Sequence, residues 1–184
     1  TPGIAQSIAV TNGTVNVSAI GEITFTPAAN YVGNVSFDYT ITDGNGGTDS
    51  ATVSGSITNV NDGPDAVNDT LLNGAEDTVS GVLNSDMLIN DTDLDGDTLS
   101  ITHIGTTALT PGIAQSIAVT NGTVNVSAIG EITFTPAANY VGNVLFDYTI
   151  TDGNGGTDSA TVSGSITNVN DGPDAVNDTL LNRA

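Results

Sequence analysis

Between Ser7 and Ser18 large apolar side chains recur with a period of two, separated by small or polar residues and interrupted at Asn12-Gly13. This puts Ile8, Val10, Val15 and Val17 on one face of two short strands. An Asn-Gly pair between alternating runs predicts a hairpin with a two-residue type I′ turn, in which Val10 faces Val15 and Ile8 faces Val17. A third alternating run, Glu22 to Thr26, stops at Pro27. In the fourth, Val35, Phe37, Tyr39 and Ile41 share one face, and Ser36, Asp38 and Thr40 share the other. The turn Asp43-Gly44-Asn45-Gly46-Gly47 leads to a strand near Ser50 to Thr58. Further on, strands are predicted near Asp77 to Leu83 and Thr98 to Ile104, with one helical turn at Asn84 to Ile89. No segment carries a sustained helical stripe. About seven short strands at regular spacing predict an all-β fold, an antiparallel β-sandwich of the Ig-like, Greek-key kind.

The pattern then repeats. Thr1–Asn73 recur as Thr110–Asn182, a shift of 109 residues, with one difference across the 73 positions, Ser36 against Leu145. A period this long means whole domains in tandem, not a solenoid of small units. Verbatim copying suits a spacer better than a binder or an enzyme. The differing position lies on the polar face of its strand, where it leaves the core untouched.

Asn59-Val60-Asn61-Asp62-Gly63-Pro64-Asp65 follows the last strand of the repeat and recurs at Asn168 to Asp174, so it reads as an interdomain linker. The expected organisation is the back part of one domain over 1–60, a linker at 61–65, a complete sandwich over 66–169, and a linker with the first strand of another repeat over 170–184. The opening in mid-pattern suggests a piece of something larger. Residues 66–109 could pack on the half upstream or on the half downstream, because both halves are the same peptide. Without such strands, residues 1–60 are expected to expose edges and core.

Charge narrows the function classes. The 184 residues hold 21 acidic side chains, Lys+Arg of one (Arg183) and a net charge of −20. Nucleic-acid binding needs basic groups to displace counterions from phosphates, and contact with an anionic membrane surface needs them too. Both are excluded as partners. Hydrophobic residues at 38% still allow a packed core. Cysteine is absent, which removes disulfides and thiolate metal sites.

The acids are concentrated. Asp91-x-Asp93-x-Asp95-Gly96-Asp97 sets four carboxylates on alternate positions around a glycine, with no Lys or Arg nearby to relieve their repulsion. Calcium takes about six to eight hard oxygens at about 2.3–2.6 Å, which a flexible Asp-rich loop can supply. The spacing resembles the start of an EF-hand loop. However, the position of the bidentate Glu is Thr102, so a calcium-binding loop of a β-sandwich is the better reading, with a solvated acidic turn as the plain alternative.

Phe37-Asp38-Tyr39-Thr40-Ile41-Thr42-Asp43-Gly44, followed by Asn59-Val60-Asn61-Asp62-Gly63-Pro64, resembles the end of a cadherin-like domain. Glu76-Asp77-Thr78 and Asn90-Asp91-Thr92-Asp93-Leu94-Asp95-Gly96-Asp97 resemble the opening of bacterial cadherin-like repeats. Such repeats build the giant secreted adhesins of Gram-negative bacteria known as RTX adhesins. The spacing from Asn61-Asp62 to proline is one residue shorter than in the cadherin linker. The resemblance implies Ca²⁺ where domains meet: Asn61 and Asp62 from the linker, Asp91, Asp93, Asp95 and Asp97 from the acidic loop, and Asp152 from the Asp-Gly turn. Glu76 and Asp77 are candidates at the far end, and Asp43, Asn170 and Asp171 play the same parts at neighbouring junctions. It further implies a calcium-rigidified extender on the bacterial cell surface, serving attachment and biofilm formation, with neighbouring repeats as its partners.

Two rival functions are weaker. Catalysis lacks means, because one His and no Cys or Lys leave almost no nucleophile–base pair. His103 reads as an ordinary strand residue. Polysaccharide binding, the alternative function, usually needs exposed aromatic platforms. There is no Trp, and Phe25, Phe37 and Tyr39 read as core. Tyr31, after a proline turn, is the aromatic residue least firmly assigned to packing.

Overall fold

The computed structural model describes residues 3–178. Arg183 and part of the strand expected over 170–184 lie outside them. The chain divides into two units, Thr1–Val60 and Asn61–Ala184.

In the first unit, β1 (Gln6–Val10), β2 (Gly13–Val17) and β3 (Ile23–Pro27) form one antiparallel sheet, and β4 (Gly33–Thr42) pairs with β5 (Thr48–Ile57) in another. Phe25 and Phe37 stack with ring centroids 6.2 Å apart. The β1–β2 hairpin differs from expectation in register. Val10 faces Gly13, Ile8 faces Val15 and Gln6 faces Val17. The turn is Thr11-Asn12, with Asn12 in the left-handed region at φ 65°. Gly13 belongs to β2 because the Phe25 ring of β3 lies where its β-carbon would stand, and the Asn12 carbonyl accepts the Ala28 N–H just after β3. The glycine is required for close approach rather than for the turn. Partners shift by two positions, so every apolar side chain keeps its face.

The second unit is a complete sandwich. One layer is β10 (Gln115–Val119), β11 (Gly122–Val126) and β12 (Ile132–Pro136). The other is the long hairpin of β13 (Gly142–Thr151) and β14 (Thr157–Thr167), extended by elements from residues 66–109. β8 (Ser100–Ile104) pairs antiparallel with β13 and carries the short β9 (Thr107–Ala108) on its other edge, while β6 (Asp69–Thr70) and β7 (Gly74–Ala75) lie parallel to β14. These parallel contacts depart from a purely antiparallel sandwich. The segment expected as a strand at Asp77 to Leu83 is irregular: Asp77 takes φ 59°, and only Ser80 and Leu83 donate N–H groups to Phe134 and Ile132 of β12. The expected helical turn forms as α1 (Asn84–Met87).

Leu72, Leu83, Met87 and Ile104 from residues 66–109 complete a core with Val124, Ile132, Phe134, Val144, Phe146, Tyr148, Ile150 and Val162. The two copies of the repeat therefore differ sharply in burial. Tyr148 and Ile150 are fully buried, while their counterparts Tyr39 and Ile41 are 41% and 59% exposed. Ile132 and Val162 are likewise buried where Ile23 and Val53 are open. Burying one such side chain contributes about 1.5–3 kcal/mol, so residues 66–109 complete the second unit energetically as well as topologically. Ser36 and Leu145, the one difference between the copies, are both exposed, as the strand pattern required.

Candidate metal centre

The acidic side chains converge at one end of the second unit, where the chain enters it. Asp65 and Thr92 exchange backbone hydrogen bonds of 2.8 and 3.0 Å, drawing the entering segment alongside the acidic loop. Gly156, in the β13–β14 turn, faces Gly63 and Pro64 so closely that a β-carbon there would overlap them. A glycine at this point brings linker and turn together.

Within the acidic loop Asp93 organises the backbone. Its Oδ1 accepts the N–H groups of Asp95 at 2.9 Å and Asp97 at 3.1 Å, and Gly96 takes the left-handed φ of 77° that closes the turn. In the β13–β14 turn Asp152, which is buried, does the same through N–H groups of Asn154 at 2.7 Å and Gly156 at 2.9 Å. The linker joins both. Asn61 donates its side-chain amide to Asp152 Oδ2 at 2.7 Å, and the Asp62 N–H donates to Asp95 Oδ2 at 2.7 Å. Asn154 closes the circuit with a 2.7 Å bond to Asp97 Oδ2.

One carboxylate oxygen from each of Asp93, Asp97 and Asp152 lies within 4.8 Å of the others. Asp93 Oδ2 is buried and has no hydrogen-bond partner. A buried carboxylate oxygen without a donor is costly, and a hard cation is a partner that the three converging carboxylates would suit. The Asn61 amide, followed by the N–H groups of Asn154, Gly156 and Gly155, holds the Asp152 carboxyl below its usual value against the opposing effect of burial. The group is thereby kept ionised, as a metal ligand must be.

The other predicted residues are placed elsewhere. Asp91 is buried away from the triad: its Oδ1 accepts the Val67 N–H at 2.8 Å, and both oxygens lie 3.2–3.3 Å from the Tyr148 hydroxyl. That hydroxyl also reaches Asp69 Oδ2 at 3.0 Å and the Met87 carbonyl at 2.9 Å. Glu76, also buried, accepts the Val169 N–H at 2.7 Å near the opposite end of β14, and Asp77 accepts the Asn139 N–H at 3.2 Å. Asn170 and Asp171 are exposed, with a single bond from the Asn170 amide to the Asp171 carbonyl. Asp43, in the first unit, forms the same turn as Asp152 by accepting the N–H groups of Asn45 and Gly47, which lower its pKa. The turn thus shapes itself locally.

Asn154, Asp69 and Tyr148 were not singled out from the sequence. Asn154 was legible in principle, as the third residue of an Asp-Gly-Asn-Gly-Gly turn. The Tyr148 cluster was not, since its members come from distant elements. His103 sits in β8 against the Thr102 hydroxyl at 3.1 Å. Tyr140, the counterpart of Tyr31, donates its hydroxyl to the Asn143 carbonyl at 2.7 Å, and Tyr31 makes the same bond to Asn34 at 2.6 Å. Both tyrosines therefore clamp their own turns.

Residues 60–167, which contain the whole triad and the sandwich that carries it, match the cadherin-like domain. The chain belongs to the cadherin-like domain family. Residues 2–56 match a second family, the bacterial Ig domain. This chain's cadherin-like domain is therefore preceded by an Ig-type segment of nearly the same sequence as its own second half. No match is found among curated proteins. Among solved structures, the chain is similar to the endo-fucoidan hydrolase MfFcnA4 from glycoside hydrolase family 107, at 17% identity, with a TM-score of 0.34 over 90% of this chain and 23% of that one. The chain spans less than a quarter of that enzyme's length.

Proposed function

We propose that the chain is a calcium-rigidified extender of a large bacterial surface adhesin, a spacer that projects a distal binding domain for attachment and biofilm formation. The observation that carries this reading is the carboxylate triad of Asp93, Asp97 and Asp152 with its orphaned buried oxygen. Cadherin-like and bacterial Ig domains are extracellular repeat modules, generally without enzymatic activity, and cadherin-like domains commonly bind calcium.

Asp93, Asp97 and Asp152 would hold the ion, with Asp95 and the side chains of Asn61 and Asp62 as further oxygen donors nearby. Bound there, Ca²⁺ supplies positive charge that none of the neighbouring residues provides. This chain's own residues do the rest. The Asn61 amide and the Asp62 N–H already fasten the linker to the turn and the loop. Neutralising the carboxylates around them removes the repulsion that works against those bonds. A spacer gains from this, because an entering segment with no hinge freedom transmits orientation along an array. Each repeat adds roughly 40 Å, taking about 3.3 Å per strand residue.

The test is to follow melting temperature and small-angle scattering of the intact chain with Ca²⁺ and with EDTA. Chelation is expected to lower the melting temperature and broaden the scattering profile; identical curves in both conditions would refute the extender reading.

A further inference from the structure

Asn154 is followed by Gly155, and the β13–β14 turn requires that glycine: its φ of 111° lies in a region that side chains rarely adopt. The same glycine leaves the backbone nitrogen after Asn154 unshielded. In an Asn-Gly pair that nitrogen attacks the asparagine side-chain carbonyl carbon. The new C–N bond closes a succinimide, and the displaced amide nitrogen leaves as ammonia, carrying the proton that the glycine nitrogen gave up. Water then opens the ring to aspartate or isoaspartate, with no oxidant or reductant. The chain has five Asn-Gly pairs, and among the described residues Asn154 alone of these donates its amide to the acidic loop, at 2.7 Å from Asp97 Oδ2. We infer that Asn154-Gly155 is a deamidation site, and that its conversion turns a junction closed by hydrogen bonds into one closed only by a cation, the second step resting on the proposed calcium site.

Asn154 bridges two members of the carboxylate triad. Its N–H donates to Asp152 Oδ1 at 2.7 Å while its amide holds Asp97. An aspartate in its place has no side-chain proton to donate at neutral pH and sets a further negative charge beside Asp97. An isoaspartate adds one carbon to the backbone and shifts the Gly156 N–H that Asp152 Oδ1 accepts at 2.9 Å. With one Lys or Arg against 21 acidic residues in the chain, the offsetting charge must come from solution. Asn45-Gly46 supplies a reference rate in the same molecule. Its turn is alike, with Gly46 at φ 102°, but the Asn45 amide meets the Asp43 carbonyl at 3.4 Å. The bond to Asp97 resists the side-chain rotation that ring closure requires, so Asn154 converts more slowly than Asn45.

The experiment incubates the intact chain in EDTA at mildly alkaline pH and maps each Asn-Gly pair by mass spectrometry. Conversion of Asn45 and then of Asn154 is expected, and Asp97→Ala should bring Asn154 up to the Asn45 rate. The converted chain, and separately Asn154→Asp, should melt roughly 4–8 °C below the fresh parent in EDTA, as for the loss of one net hydrogen bond in a domain of this size. Calcium should restore both. Asn154→Gln keeps an amide that cyclises far more slowly, and the same incubation should leave its melting temperature unchanged. An intact Asn154 after Asn45 has fully converted would overturn the inference, as would a converted chain that melts like the fresh parent in EDTA. A loss that calcium fails to restore would overturn it too. In that case calcium stabilising the fresh parent leaves the calcium site standing, whereas calcium without effect on the fresh parent marks the failure of that site as well.

Discussion

Asn61 and Asp152 are 91 positions apart in the chain, yet the Asn61 side-chain amide donates to Asp152 Oδ2 at 2.7 Å. This bond is the largest contribution lowering the Asp152 pKa, and it pins the entering linker to the β13–β14 turn. Asn61→Ala should move the Asp152 titration upward toward its usual range, as read by carboxyl NMR. It should also cost roughly 1 kcal/mol of stability, measured by chemical denaturation. An unmoved Asp152 titration would show that the turn alone sets its acidity.

The triad predicts how calcium and mutation combine. A ligand that binds only the folded form stabilises it by about 2.7 kcal/mol at a hundred times its dissociation constant. Asp93→Asn removes the charge of the orphaned carboxylate while retaining an oxygen for the Asp95 and Asp97 N–H groups. Without calcium the variant should match or exceed the parent in melting temperature, because one repelling charge is gone. With calcium it should gain far less. Equal calcium increments in parent and variant would place the ion elsewhere.

Tyr148 and Tyr39 offer an internal control within one chain. The Tyr148 hydroxyl has a single proton and sits among the buried carboxylates of Asp69 and Asp91. Burial, then Asp69, pushes its pKa upward, and burial raises that of Asp69. Tyr148→Phe leaves both carboxylates without this donor and should destabilise the second unit by roughly 1–3 kcal/mol. Tyr39→Phe, on an exposed residue, should change stability by less than about 0.5 kcal/mol. Urea denaturation of the two variants compares them directly.

The contrast between these tyrosines marks how far the sequence could be read. Strand positions within the duplicated stretch, sandwich class and the polar placement of Ser36 and Leu145 followed from a period-two pattern, which is local, whereas the strand expected at Asp77 to Leu83 is irregular. The acidic loop and the Asp-Gly turn were legible because their shapes are local too: Asp43 folds its turn as Asp152 does, though only Asp152 has Asn61 bound to it. Asp91 was grouped with its sequence neighbours, but the fold turns it inward to Tyr148. Alternation along a loop does not determine which carboxylates share a side. Burial of Tyr148 and exposure of Tyr39 were beyond any local reading, since the two sit in the same sequence and differ only in what covers them. The parallel contacts of β6 and β7 are equally tertiary, as neither strand exceeds two residues.

Gly122 tests the corrected hairpin register. A type I′ turn would place a glycine of positive φ there, but Gly122 lies in β11 opposite Pro136, with the Phe134 ring over it. Gly122→Ala should therefore destabilise by overlap with that ring, costing roughly 1–3 kcal/mol in thermal denaturation. Adding Phe134→Leu to the alanine variant should cost less than Phe134→Leu costs alone in the parent, because the ring's share of the overlap is relieved while that with the Thr135 carbonyl oxygen remains. Additive losses would return the glycine to a turn role.

Asp158 governs part of the acid limb without belonging to the triad. Its Oδ2 accepts the Ala66 N–H at 2.8 Å, and that bond, followed by the Ser159 N–H, lowers its pKa below the usual 3.8. The unfolded chain therefore binds more protons at this group than the folded chain in the window just below its ordinary value. The stabilisation is complete above that value and is lost as pH falls through the depressed one. Asp158→Asn keeps an acceptor for Ala66 but cannot titrate. The variant should be less stable than the parent at pH 7, and its stability should fall less steeply between about pH 4 and pH 2, so the two curves converge at the acid end. Denaturant midpoints across that range, taken on protein stripped of calcium at neutral pH and exchanged into calcium-free buffer, measure both slopes. Parallel curves would mean that the Ala66 bond survives protonation of its acceptor and that another carboxylate sets the acid limit of the fold.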